Sequence, residues 1–266
     1  MSEISKSRFE EDGVVLLKNV WEKNAVTRLM QDYDKLDKEI KSKDILKDEP
    51  IIVFWKHVQG EQKRILSFKQ YQSMWNFINN HIVRNLKLIF GNKCYLQLLE
   101  TIIFNKPYEI SNTLHWHQDV AYFPLKPNNQ IAVWFPLEPV DKIGGALTYA
   151  LGSHKEGIKG SVDLHTRKPF DNEPRELIPE DPEKSGYKVK CMEMNETDML
   201  IHNGYTWHYS GPNKKKNYVR KGISVRFITE PSYFDPRPGQ GAAFTKQINL
   251  KSGDLFQGDP FPVLNS

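Results

Sequence analysis

Only two cysteines, Cys94 and Cys191, occur in 266 residues, which excludes a disulfide scaffold and a multi-cysteine zinc module. Long apolar runs are also missing. None approaches the roughly 18 residues of a membrane-spanning helix, and mean hydropathy is −0.59. The opening MSEISKSRFEEDG has no apolar stretch of the kind a secretory leader carries. A reduced, cytoplasmic protein with no membrane partner is expected. There is little excess charge of either sign: 37 basic against 33 acidic residues leave a net +4. Nucleic-acid binders usually concentrate basic charge on one face. The run Lys214-Lys215-Lys216 is short, and it follows Gly211-Pro212-Asn213 as a solvated loop tip would. No nucleic-acid partner is expected. What is plentiful is core material, with 39% hydrophobic and 12% aromatic residues. That is too aromatic for a disordered chain and enough for one domain without staples.

The texture changes along the chain. RFEEDGVVLLKNV (8–20) reads as a short helix running into a buried strand at Val14–Leu17. Over 22–42, Val26, Leu29, Met30, Tyr33 and Leu36 fall on one face of an amphipathic helix. IIVFW (51–55) is strand-like. Over 68–90, Tyr71, Met74, Trp75, Ile78, Ile82 and Leu86 form a second helical stripe, stopped by Gly91-Asn92. After residue 93 come short β-rich runs at 94–104, 130–137, 147–151, 187–194, 198–202 and 222–229, most of them separated by Gly, Pro, Asn or Asp. Such spacing marks a sandwich or barrel of short strands. Helices first and strands later predict an α+β, mainly β, build with N-terminal helices packed on one sheet. The single domain, 1–266, divides into a helix-rich part (1–92), a β core (93–230) carrying a lid loop at 155–186, and an irregular C-terminal extension (231–266) docked by Phe256, Phe261 and Leu264.

The chemistry concentrates in His115-Trp116-His117-Gln118-Asp119. A bare His-x-Asp is a weak signal. On a strand, however, residues two apart share a face, so His117 and Asp119 can offer an imidazole and a carboxylate to one ion. Two His and one carboxylate on one face of Fe(II) leave positions open for a cosubstrate and O2. The second His must come from another strand. His208, just after the run 198–202, is the candidate, with His202 six residues earlier as its competitor. Further on, Arg220, Gly222, Ser224 and Arg226 share one face of a strand whose other face carries Ile223, Val225 and Phe227. Such a polar face suits a barrel interior. A buried Arg needs an anion, and its fork fits a carboxylate bidentately. A dicarboxylate with one end on iron and the other on Arg220 meets that need, while Arg226 is read as pairing at the surface.

Five segments carry a family resemblance: FNKP (104–107), HQDVAYFPLKP (117–127), AVWFPLE (132–138), GGALTYALGSHKEG (144–157) and HYSGPNKKKNYVRKGISVRF (208–227). With FEEDGVVLLKNV (9–20) ahead of them, the chain resembles the phytanoyl-CoA dioxygenase (PhyH) family of Fe(II)/2-oxoglutarate-dependent oxygenases from about residue 8 to 230. The resemblance implies a double-stranded β-helix, the cupin-like jelly roll. It implies Fe(II) held by His117, Asp119 and His208, with 2-oxoglutarate as cosubstrate and O2 as oxidant. It places Arg220 on the distal carboxylate of 2-oxoglutarate, Trp134 and Arg64 beside the cosubstrate, and Tyr122 and Phe123 on the substrate side. Trp134 reads equally as plain barrel core.

The implied activity is hydroxylation of a small molecule, coupled to decarboxylation of 2-oxoglutarate to succinate and CO2, in a biosynthetic or tailoring role. An Asp at 119 disfavours halogenation, because related halogenating enzymes carry a small residue there. Two other readings stay open: an oxygenase acting on a macromolecule, and a non-enzymatic jelly roll that binds metal and 2-oxoglutarate. Composition allows a monomer or a homodimer. The regions 155–190 and 231–266 match nothing specific, so the resemblance does not carry the substrate over.

Overall fold

Alternation decides which side of each strand meets which neighbour, and here it sorts a helix-facing side from a polar interior. The computed structural model describes residues 2–42, 52–57, 60–65, 72–108, 113–236, 250–257 and 261–264. Helix α1 (Ser2–Asp12) leads into β1 (Val14–Leu17), and α2 (Lys23–Ser42) follows. Strands β2 (Ile52–His57) and β3 (Gly60–Ile65) form a hairpin. The second helical stripe is α3 (Gln72–Phe77), a π-helical turn (Ile78–Val83) and α4 (Arg84–Phe90), ended by Gly91 at φ 97°. Gly91 accommodates that backbone at no steric cost. Val26 and Leu29 of α2 are buried as their spacing predicts. The side chains of Tyr33, Leu36 and Tyr71 lie outside the described residues.

The β core runs β4 (Gln97–Lys106), β5 (Leu114–His117), β6 (Leu125–Lys126), β7 (Gln130–Pro136), β8 (Leu147–Ala150), β9 (Val189–Cys191), β10 (Met199–Asn203), β11 (His208–Ser210), β12 (Arg220–Ile228) and β13 (Tyr233–Phe234). A seven-stranded sheet is ordered β1-β10-β7-β12-β4-β3-β2, and a four-stranded sheet β5-β11-β8-β9. The pairings in both are antiparallel. These are the two sheets of a jelly roll.

On the large sheet, Val133, Phe135, Ile201, Ile223 and Val225 pack against the helices. The opposite face puts Trp134 and Leu200 into a second apolar cluster with Tyr149 and Leu147 of the small sheet. The period-2 reading of β12 therefore holds: its apolar face meets the helices, and Arg220, Ser224 and Arg226 line the cavity between the sheets.

One expectation needs correction. Strand β5 ends at His117, and Asp119 opens a 3-10 turn, Asp119–Tyr122. Gln118 between them is extended (φ −125°, ψ 144°), so the alternation still carries Asp119 back toward the face of His117. The segment 155–186 contains little regular structure, but it is tied down. Val162 bridges Pro169, and Ile178 packs on Trp207 and Ala150. In the C-terminal extension, Phe256 and Phe261 join the cluster of Leu99, Phe123 and Leu125, and Leu264 joins the helix-facing core.

Candidate metal centre

The two imidazoles meet because β5 and β11 are neighbours. His208 is the direct cross-strand partner of His117 on one side and of Tyr149 on the other. The rings of His117 and His208 lie 4.1 Å apart, centroid to centroid. One donor atom from each of His117, Asp119 and His208 lies within 4.8 Å of the others, and all three residues are buried. Each imidazole spends its Nδ1 on a backbone carbonyl two residues earlier: His117 on His115 at 2.6 Å, His208 on Thr206 at 3.0 Å. With Nδ1 carrying the proton, Nε2 keeps its lone pair for a metal, as carbonyl-oriented ligand imidazoles do. Burial lowers the pKa of His117 to about 4 and that of His208 well below its ordinary value. Both imidazoles are neutral at pH 7.

Asp119 is held from both sides. Its Oδ1 accepts from Arg226 Nη2 at 2.6 Å, and its Oδ2 lies 3.0 Å from His202 Nε2. His202 Nδ1 in turn lies 3.0 Å from the hydroxyl of Tyr149. When that hydroxyl donates, Nε2–H of His202 points at the carboxylate. Burial works against ionisation of Asp119, but Arg226, with His202 and His208, holds it well below the usual carboxylate range. Arg226 also pairs with Glu100, its direct cross-strand neighbour on β4. The expectation that Arg226 pairs at the surface fails: its side chain is 9% exposed, and both its partners are buried. His202 is not one of the three clustered residues, but it orients Asp119.

The same cavity extends to Arg220, whose side chain is fully enclosed. Its Nε and Nη1 have no hydrogen-bond partner among the described residues. Its guanidinium lies 5.6 Å from the Trp134 ring and 5.8 Å from Phe104. Burial lowers its pKa to about 10, still far above neutrality. Orphaned donors on a buried cation are costly unless an anion meets them. Trp134 reaches this end of the cavity because residue 222 is glycine: a Cβ there would stand 2.5 Å from Trp134 Cζ2. Lys106 is buried nearby, where burial and the Arg220 charge hold its pKa well below the ordinary lysine value, and its Nζ donates to Ser210 Oγ at 2.9 Å and to the Gly211 carbonyl at 2.8 Å.

The other expected residues fall as follows. The hydroxyl of Tyr122 donates to the Val162 carbonyl at 2.8 Å, and its ring is 6.1 Å from that of His117. Phe123 lies in the apolar cluster with Leu99 and Ile228, and its ring faces the Arg226 guanidinium at 5.5 Å. Arg64 stands on β3 opposite Ile102, and its side chain lies outside the described residues. Sequence reasoning misses Tyr149, Gln118 and Lys106. Glu100 carries one readable sign, a lone carboxylate inside the apolar run LLETIIF.

Comparison with known proteins agrees with this geometry. The family model described as phytanoyl-CoA dioxygenase (PhyH) matches residues 9–222. The chain is 23% identical over 231 residues to the peroxisomal phytanoyl-CoA dioxygenase of Bos taurus, covering 82% of this chain and 66% of that protein. It thus spans just under two thirds of that relative's length. Among solved structures, it is similar to the non-heme alpha ketoglutarate dependent carbocyclase SnoK from nogalamycin biosynthesis. The TM-score there is 0.75 at 17% identity, covering 99% of this chain and 96% of the other. It is also similar to the epimerase SnoN in complex with Fe3+, alpha ketoglutarate and nogalamycin RO, with TM-score 0.71, 19% identity and coverage of 98% and 97%. Among the described residues no helix is long and apolar enough to cross a membrane.

Proposed function

The chain belongs to the phytanoyl-CoA dioxygenase family, and from that premise we propose that it is an Fe(II)/2-oxoglutarate-dependent oxygenase that hydroxylates a C–H bond of a small molecule. The observation that carries this reading is a cavity lined by His117, His208 and Arg220, with an Asp119 oxygen within 4.8 Å of the imidazole donor atoms and with Arg220 Nε and Nη1 lacking a partner among the described residues. Two neutral imidazoles and one carboxylate are the donor set that suits non-haem Fe(II). The free Nε and Nη1 of Arg220 suit the distal carboxylate of a dicarboxylate. Iron bound there would supply O2 activation coupled to conversion of 2-oxoglutarate to succinate and CO2.

The protein's own part is orientation and exclusion of water. The carbonyls of His115 and Thr206 set the two imidazole tautomers. Arg226 and His202 keep Asp119 ionised and fixed. Arg220 binds the cosubstrate through its charge, with Trp134 and Phe104 as apolar walls that exclude water. Tyr122 stands beside His117 on the substrate side.

The substrate is a biosynthetic or tailoring intermediate, and the protein works in the cytoplasm as a monomer or homodimer. Purified protein given Fe(II), 2-oxoglutarate and air is expected to form succinate, and omission of any one of the three should abolish it. DNA or RNA should leave the rate unchanged. Stimulation by nucleic acid would move the assignment to a macromolecular substrate, and absence of succinate across a wide small-molecule panel would favour a non-catalytic binder.

A further inference from the structure

The residue between two metal ligands points away from them, and here it holds a second structure together. Gln118 is fully buried, and all three of its side-chain hydrogen bonds go to backbone. Its Nε2 donates to the Gly157 carbonyl at 3.1 Å and to the Tyr205 carbonyl at 3.0 Å. Its Oε1 accepts from the Lys159 N–H at 2.5 Å. Gly157 and Lys159 begin the segment 155–186. Tyr205 precedes Thr206, whose carbonyl orients His208. One amide therefore joins the His117–Asp119 turn, the approach to His208 and the segment that runs beside them.

Two further ties lace that segment to the same turn. The His115 N–H donates to the Leu164 carbonyl at 2.8 Å. The Tyr122 hydroxyl donates to the Val162 carbonyl and accepts from the Val162 N–H at 3.2 Å. Residues 157–164 thus run alongside 115–122 as a strap with contacts on both sides of the ligand pair. The middle of the strap is anchored by Glu173, which accepts from Ser161 N–H, Ser161 Oγ and Arg175. We propose that Gln118 is a positioning residue that couples the seating of this strap to the mutual placement of His117, Asp119 and His208. The inference rests on reading those three residues as metal ligands. When the strap lifts, Gln118 loses partners on one side, and the ligand turn loses its brace.

The test uses Gln118→Met, which keeps size and shape but forms none of these bonds, and Tyr122→Phe, which cuts the neighbouring tie. Co(II) binding, the Co(II) visible spectrum and limited proteolysis of the metal-free protein are compared with wild type. Gln118→Met is expected to weaken Co(II) binding about tenfold, as loss of groups that orient metal ligands does. It should also change the Co(II) band shape and speed cleavage within 157–164 several-fold. Tyr122→Phe should speed the same cleavage to a smaller extent. A folded Gln118→Met with wild-type Co(II) affinity, spectrum and protease resistance overturns the proposal. If Gln118→Met does not fold, Tyr122→Phe decides: unchanged cleavage and spectrum overturn it. Wild type that binds no Co(II) refutes the ligand reading instead, and the cleavage comparison still shows whether Gln118 holds the strap.

Discussion

The imidazoles of His117 and His208 are buried neutral groups, and that has a consequence for stability. An unfolded chain protonates His117 near the ordinary histidine value of about 6.5, whereas the folded protein resists protonation until about pH 4. Between those values the unfolded state binds more protons, so the metal-free protein loses stability as pH falls. The loss from pH 7 to pH 5 is about 2 kcal/mol for His117, and His208 acts in the same direction. Chemical denaturation of the metal-free protein at the two pH values should show it, and His117→Gln should reduce the slope. Arg220 makes a different prediction. Hydrogen bonds to charged groups contribute about 1.5–3 kcal/mol, so Arg220→Met should raise the 2-oxoglutarate needed for half-saturation at least about tenfold. Co(II) affinity should not change, because Arg220 is not among the clustered donors. Equal loss of both would mean that the variant disturbs the whole cavity.

Single strands serve core and cavity at once. On β7, Phe135 packs with Trp21 and Phe77 at centroid distances of 5.3 and 5.2 Å, and the adjacent Trp134 faces Arg220. Phe135→Ala should therefore cost about 3–5 kcal/mol of stability, read by urea unfolding, with little change in 2-oxoglutarate affinity. On β12, Gly222→Ala should do the reverse, displacing Trp134 and weakening cosubstrate binding by more than its effect on unfolding. Alternation made the two faces of β12 legible, and punctuation by Gly, Pro, Asn and Asp made most strands legible. Strand β5 was harder because LHWH is no apolar run, and β3 because GEQKRI is mostly polar. The orienting network was not legible. Glu100 and Arg226 stand 126 residues apart in sequence and meet only through the β4–β12 register, and Tyr149, His202 and Asp119 come from three separate elements.

At the scale of the molecule, helices cover one face of the large sheet, the small sheet closes the other, and the buried charges sit between them. A buried ion network tolerates loss of one member poorly, at about 3–5 kcal/mol. The Arg226–Asp119–Glu100 triad therefore couples folding to the site: Arg226→Met should destabilise the protein and weaken metal binding together. The central claim is that one cavity holds iron through His117, Asp119 and His208 and anchors 2-oxoglutarate through Arg220. The direct measurement is the visible charge-transfer band of iron-chelated 2-oxoglutarate, recorded without oxygen for wild type and Asp119→Ala. The account predicts the band in wild type and its weakening or loss in the folded variant. Folded wild type that binds iron but shows no band would contradict it and remove the role assigned to Arg220.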